Sequence, residues 1–179
     1  MTPEHESSPL ARCERYTVRM RKAVHVFSAG HFITLADDLC EPLHGHNWTV
    51  ATEVEGEPDP HGMVVDFILL RDELARIVGR LDHRMLIPTG NPRLIVQTDA
   101  DEVTVRFNSW RWVFPAAHCL LLPMVNTTAE CLARWIGMEL ITSLAAVGQR
   151  PRGLVRIEVD ECLGQAATWE QLLGDAMTR

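Results

Sequence analysis

From Tyr16 to Phe27 the apolar residues Val18, Met20, Val24 and Val26 fall at even positions, with Thr17, Arg19, Arg21 and His25 between them. A period of two sends alternate side chains to opposite faces, so this stretch predicts a strand with one buried face. A second strand is expected from about His46 to Glu55, where Trp48, Val50 and Thr52 alternate with Thr49, Ala51 and Glu53. Gly56 to Gly62, rich in Pro and Gly, predicts a turn back through Met63 to Val65 and hence a hairpin. The period then lengthens. Asp66 is placed to cap a helix in which Leu70, Leu74, Ile77, Val78 and Leu81 share one face. Thr127-Thr128-Ala129-Glu130 reads as a capping box, with Thr127 and Glu130 satisfying free amide hydrogens at the head of a helix that runs to about Ala146. Leu132, Trp135, Ile136, Leu140 and Leu144 supply its apolar stripe. In a final strand, Leu154 to Asp160, Val155, Ile157 and Val159 alternate with Arg156 and Glu158. The order is strand, strand, helix, helix, strand.

Between the helices, Pro88 to Pro123 is too long for an idle connection. It contains strand-like Leu94 to Gln97, Val103 to Phe107 and Arg111 to Phe114, with Asn108-Ser109 as the turn. Residues 1–15, with Pro3, Pro9 and several charges, have no apolar period and are expected to form a mobile arm. Residues 16–179 are expected to form a single domain carrying the insertion at 88–123, since 179 residues suit one core.

Charge narrows the partners. Seventeen Lys+Arg against 24 Asp+Glu give a net charge of -7, which argues against general affinity for nucleic acid or anionic membranes. No apolar run approaches the roughly eighteen residues of a membrane span, and Met1 to Arg15 lacks the apolar core of a signal peptide, so a cytoplasmic location is expected. Cys13, Cys40, Cys119, Cys131 and Cys162 are odd in number and widely spaced, a pattern of reduced thiols rather than a disulfide framework.

The densest chemistry lies at His44-Gly45-His46, preceded by Cys40 and, further upstream, by Phe27-Ser28-Ala29-Gly30-His31. On a strand His44 and His46 share a face and can reach one ion, while Gly45 gives the backbone room to bend. A third histidine from a neighbouring strand would complete the three nitrogens of a catalytic zinc site with its fourth position open. A surface His-x-His without function is the plain alternative.

Phe27-Ser28-Ala29-Gly30-His31, Cys40-Glu41-Pro42-Leu43-His44-Gly45-His46-Asn47, Met63-Val64-Val65-Asp66-Phe67, Leu81-Asp82-His83 and Thr127-Thr128-Ala129-Glu130 resemble the successive motifs of the 6-pyruvoyltetrahydropterin synthase and 6-carboxytetrahydropterin synthase family. The resemblance covers roughly Val18 to Leu86 and Asn126 to Glu161, leaving the arm and the insertion unmatched. It implies an α+β tunnelling fold, a four-stranded antiparallel sheet with two helices on one face, here with an inserted β-hairpin region. It also implies subunits that join their sheets into barrels, as trimers or stacked hexamers.

The same resemblance assigns roles. Zn2+ would be held by His31, His44 and His46, where as a Lewis acid it eases removal of a carbon-bound proton. Cys40 would be the catalytic base, given a cation nearby and enough exposure to lower its thiol pKa. Asp82 and His83 would form a proton relay, and Glu161 would anchor the pterin's amino-pyrimidine edge. Thr127 and Thr128 match residues near the pterin pocket, although capping already explains Thr127. The implied substrate is 7,8-dihydroneopterin triphosphate. A cysteine four residues before His44 suits the bacterial branch, which releases acetaldehyde and triphosphate to give 6-carboxy-5,6,7,8-tetrahydropterin, a precursor of queuosine. Other readings are triphosphate elimination to the 6-pyruvoyl product, action on another pterin, and a non-catalytic zinc- and pterin-binding protein. In the insertion, Arg93, Arg106 and Arg111 could add a phosphate-binding lip, or Trp110, Trp112 and Phe114 could close the pocket. A structural hairpin or an intersubunit contact explains it equally well.

Overall fold

A computed structural model describes residues 14–36 and 38–174. The expected arm therefore lies outside the described residues except for Glu14 and Arg15. In chain order the elements are β1 (Tyr16–His31), β2 (His44–Gly56), α1 (Phe67–Gly79), β3 (Arg84–Pro88), β4 (Ile95–Thr98), β5 (Glu102–Phe107), β6 (Trp110–Pro115), a 3-10 turn (Ala116–His118), β7 (Cys119–Leu122), α2 (Ala129–Ala146), β8 (Gly153–Cys162) and β9 (Gln165–Leu173).

Strand β1 departs from a simple period of two, and the departure decides where the chemistry lies. Arg21 pairs with Ala51 and Val26 pairs with Thr49, so five steps along β1 match two along β2. The excess of three is odd, and an odd bulge turns every later side chain to the opposite face. Before the bulge Met20 is buried; within it His25 is buried and Val24 exposed, and after it Phe27, Ala29 and His31 are buried while Val26 is exposed. The expectation that Val24 and Val26 face the core is thus corrected. A continuous register would have sent His31 to the other face.

The antiparallel run β1-β2-β8-β9 agrees with the expected four strands, but the sheet is larger and mixed. β3 pairs parallel with β1 and β7 parallel with β3, giving the order β7-β3-β1-β2-β8-β9. β3 is short and almost wholly buried, so it reads as an apolar run without alternation. β9 has no fully buried residue, and its weak pattern suits an edge strand. Met63 to Val65 forms no strand. Asp59 instead closes that loop by accepting from the amides of His61 (2.8 Å) and Met63 (2.9 Å), and the hairpin partner of β2 is β1.

Both helices cover one face of the sheet. Leu70, Leu74 and Ile77 of α1 and Leu132, Ile136, Leu140 and Leu144 of α2 are buried there with Trp48, Val50, Val54, Val155 and Ile157. Asp66 caps α1 as expected, accepting from the amides of Ile68 (2.7 Å) and Leu69 (3.1 Å). At α2 the cap is Thr128, whose hydroxyl accepts from Cys131 N at 3.4 Å. The expected Thr127–Glu130 box does not form, because Thr127 is fully buried and turned toward His31.

The insertion is more than a hairpin. β4, β5 and β6 make a three-stranded antiparallel sheet, and β7 then returns to the main sheet. A second apolar cluster joins the two layers: Leu94, Val103, Val105 and Phe107 pack on Phe32, Met85 and Ile87. Trp112 stacks on Phe32 at 4.7 Å between ring centres. Asn108 makes the expected β5–β6 turn with φ 51°, a left-handed value that asparagine tolerates. Cys40, Cys119, Cys131 and Cys162 are free thiols, and no described helix is long and apolar enough to cross a membrane.

Candidate metal centre and active site

The β1 bulge and the period of β2 bring three imidazoles to one end of the helix-covered face. His31 pairs across the strands with His44, and Ala29 with His46. Between these pairs Gly30 faces Gly45, where a side chain would be intolerable: a Cβ on Gly45 would lie 2.9 Å from the Ala29 carbonyl oxygen. Glycine thus permits the close strand approach that gathers the rings. Ring centres are 4.5 Å apart for His31–His44, 5.2 Å for His31–His46 and 5.0 Å for His44–His46. Trp48 lies edge-on to His31 and His46 at 5.1 and 5.4 Å and stacks on Phe27, giving the histidines a stiff, buried neighbour.

Hydrogen bonding sets the tautomers. A carbonyl can only accept, so His31 Nδ1 donates to Thr127 O at 3.1 Å and His44 Nδ1 donates to Pro42 O at 2.8 Å. A ring that donates from Nδ1 in this way presents Nε2 to a metal, the arrangement that metal-bound histidines adopt. His31 Nε2 is fully buried and has no hydrogen-bond partner. Burial holds its pKa down at about 4, with the Thr127 carbonyl opposing and His44 and His46 adding to the depression.

Glu161 closes the group from the end of β8. Its Oε1 lies 3.4 Å from both His31 Nε2 and His46 Nε2. A carboxylate oxygen and a neutral ring's lone pair are both acceptors, so their approach is favourable only around a proton or a cation. On His31 a proton is disfavoured, because burial holds its pKa down at about 4, whereas His46, whose tautomer no hydrogen bond fixes, can donate from Nε2 to the same oxygen. Donor atoms of His31, His44, His46 and Glu161 all lie within 4.8 Å of one another. Tetrahedral zinc at about 2.0–2.1 Å from each nitrogen needs nitrogens about 3.3 Å apart, so the rings would close in around it. The group could hold a metal ion.

The remaining expected site residues are placed in different ways. Asp82 and His83 pair at 2.9 Å where the chain enters β3. Asp82 Oδ1 accepts from Ser28 N at 2.8 Å and His83 N donates to Ser28 O at 2.7 Å, fixing the pair to β1. The Ser28 amide and then His83 hold the Asp82 carboxyl below its usual range. His83 and His46 line one depression of about 510 Å3, together with Asn47, Arg84 and Phe114.

Cys40 sits at the border of the second apolar cluster, and its thiol donates to Glu41 O at 3.4 Å. The expected lowering of its thiol pKa is corrected. Burial pushes the thiol up, Glu41 adds to that, and Arg93 opposes both without prevailing. Glu41 itself was not singled out from the sequence, yet its Oε2 lies 3.9 Å from His44 Nε2. Its position three residues before His44 was the available signal. Thr127 belongs to the histidine group through its carbonyl, and its Oγ1 is 3.3 Å from His31 Nδ1, whereas Thr128 is accounted for as a helix cap.

A mixed α+β fold with a cluster of three histidines on its helix-covered face defines the class. A profile of the 6-pyruvoyl tetrahydropterin synthase family matches residues 20–171. The chain belongs to that family of pterin synthases. A putative 6-carboxy-5,6,7,8-tetrahydropterin synthase of Methanocaldococcus jannaschii is 25% identical over 148 residues, 82% of this chain and 90% of the relative. Its counterpart from Pyrococcus abyssi is 30% identical over 116 residues, 64% of this chain and 69% of the relative. The solved 6-pyruvoyltetrahydropterin synthase of Plasmodium vivax, in a form with a catalytic glutamate changed to alanine, superposes with a TM-score of 0.82 at 23% identity, covering 89% of this chain and 99% of that one. This last likeness establishes the fold.

Proposed function

We propose that this protein is a zinc-dependent carbon–carbon lyase that converts 7,8-dihydroneopterin triphosphate and water to 6-carboxy-5,6,7,8-tetrahydropterin, acetaldehyde and triphosphate. The observation that carries the reading is the convergence of His31, His44 and His46 with His31 neutral and its Nε2 free of other partners. The names of the Methanocaldococcus and Pyrococcus relatives favour this branch of pterin chemistry.

His31, His44 and His46 would hold the ion, which when bound would supply Lewis-acid polarisation of the substrate's side-chain oxygens and so ease removal of the adjacent carbon-bound proton. Cys40 accepts that proton, which requires substrate or a neighbouring cation to draw its thiol down from the raised value of the free site. Asp82 fixes the tautomer of His83 through Nδ1, so His83 Nε2 is free to exchange protons. Glu161 offers two acceptor oxygens, one toward the histidines and one for the ring of the pterin. Thr127 orients His31, and Thr128 keeps the head of α2 in place. The active form is a homo-oligomer in the cytoplasm, with the substrate a small phosphorylated pterin.

A second reading has one specific observation behind it: Glu41 stands 3.9 Å from His44 beside a thiol that burial keeps protonated. A carboxylate is already a base at neutral pH, and the Plasmodium vivax relative uses a glutamate as a catalytic residue. If Glu41 removes the proton, the side chain is cleaved or rearranged differently and another pterin is the product. Zinc-loaded protein incubated with 7,8-dihydroneopterin triphosphate separates the readings by product mass. Carboxytetrahydropterin that disappears in Cys40→Ala and persists in Glu41→Gln supports the first. The reverse dependence, with a different pterin product, overturns it in favour of the second.

A further inference from the structure

Three residues beyond His31, the chain enters a loop that leads to Cys40, and a set of buried amides holds its start. Thr34 is only 5% exposed. Asn126 grips it much as a neighbouring strand would: its Nδ2 donates to Thr34 O at 2.9 Å, and its Oδ1 accepts from Thr34 N and Thr34 Oγ1, each at 3.1 Å. Asn91, also 5% exposed, completes the clasp by donating from Nδ2 to Thr34 Oγ1 and to Val125 O, both at 2.7 Å. Its Oδ1 accepts from Arg93 N at 3.0 Å. The Thr34 hydroxyl thus accepts one bond and donates one, and each amide uses both of its ends.

One residue past Asn126, the Thr127 carbonyl accepts from His31 Nδ1. The dipeptide Asn126-Thr127 therefore holds Thr34 and His31 as two linked contacts. Asn91 belongs to the segment between β3 and β4 that opens the inserted sheet. From the same segment Arg93 reaches the Leu35 carbonyl and lies 3.9 Å from Asp38, with its guanidinium over the Phe107 ring at 5.5 Å. The loop then closes on itself through a Thr34–Cys40 bridge and a bond from Glu41 N to Ile33 O at 2.8 Å. A buried asparagine costs desolvation that an apolar residue would not, so its value lies in fixing its partners.

We propose that Asn91 is a positioning residue for the metal ligand His31, acting through Thr34, Asn126 and Thr127, so that the insertion is fastened to the metal centre and holds it in shape. The inference rests on the zinc reading given above. The group that accepts directly from a metal-bound histidine, here the Thr127 carbonyl, carries roughly ten- to hundredfold in metal affinity, and Asn91, acting on it at a remove, is expected to carry the lower end of that range or less.

The test compares Asn91→Ala, Thr34→Val and Thr34→Ser in the full chain. Zinc affinity is read by competition with a chelator, site geometry by the visible absorption of the cobalt(II) form, and folding by circular dichroism. Asn91→Ala and Thr34→Val are expected to bind zinc more weakly, by up to about tenfold, with an altered cobalt spectrum, while Thr34→Ser, which keeps the hydroxyl, matches the parent. Folded Asn91→Ala and Thr34→Val proteins with parental affinity and spectrum overturn the inference. Should Asn91→Ala fail to fold, the contrast between Thr34→Val and Thr34→Ser decides in the same terms. A parent chain that binds no zinc would remove the zinc reading and this inference together, whereas parental affinity in the variants removes the clasp alone.

Discussion

Acidifying the metal-free protein should expose the cost of keeping His31 neutral. In the folded state burial holds its pKa at about 4, against 6.5 for the unperturbed side chain. Below 6.5 the unfolded chain takes up a proton that the native chain refuses, so stability falls as the pH falls through this window and levels off once the native His31 titrates. At about 1.4 kcal/mol per pH unit, the gap amounts to roughly 3 kcal/mol for a fully buried ring. Other groups titrate in the same range, so the comparison must be differential. Urea unfolding of the parent and of His31→Gln, both with chelator present, isolates the contribution. The parent's stability advantage over His31→Gln should shrink by roughly 3 kcal/mol between about pH 7 and about pH 4. Parallel stability curves for the two proteins would refute the claim that His31 is held neutral, and with it the argument that a cation rather than a proton joins His31 to Glu161.

Three further outcomes follow from the packing and the site. Gly137→Ala should cost about 1–3 kcal/mol by urea unfolding, because the new Cβ would lie 2.1 Å from Trp169 Cζ3 and β9 would have to shift; an unchanged midpoint would show that this edge strand yields freely. Asp66→Ala should cost about 1 kcal/mol through the two amides it leaves without a cap at the head of α1. Iodoacetamide should label Cys40 slowly at neutral pH, with its rate rising only at a pH above that of an ordinary thiol, because burial and Glu41 raise its pKa. Arg93→Ala should move that rise higher and Glu41→Gln lower, and the opposite order would contradict the assigned causes.

The elements were legible wherever a period ran undisturbed over a capped or bounded segment. Asp66 with Leu70, Leu74 and Ile77 defined α1, and Trp48 with Val50 defined the buried face of β2, because in each case one side chain pattern met one core. Motif order also located the three histidines that converge. What failed to show has physical causes. Val24 and Val26 continue the even spacing of Val18 and Met20, so nothing in the apolar pattern marks the bulge that exposes them and turns His31 inward. β3 lacks alternation because it is buried on both faces, and β9 lacks contrast because it lies at an edge. Thr127 carries the residue type of a cap, but the backbone satisfies α2 with its neighbour and leaves Thr127 to His31. Thr34, Asn91 and Asn126 are polar residues of loops in the sequence, and only their meeting across long separations gives them a role.

The central claim is that His31, His44 and His46 share one zinc ion. Crystals of the zinc-loaded protein, measured on both sides of the zinc absorption edge, test it directly. One anomalous peak per chain is expected, at about 2.0–2.1 Å from Nε2 of each of the three histidines. No peak there, or a peak bound by other residues with the three rings uncoordinated, would contradict it.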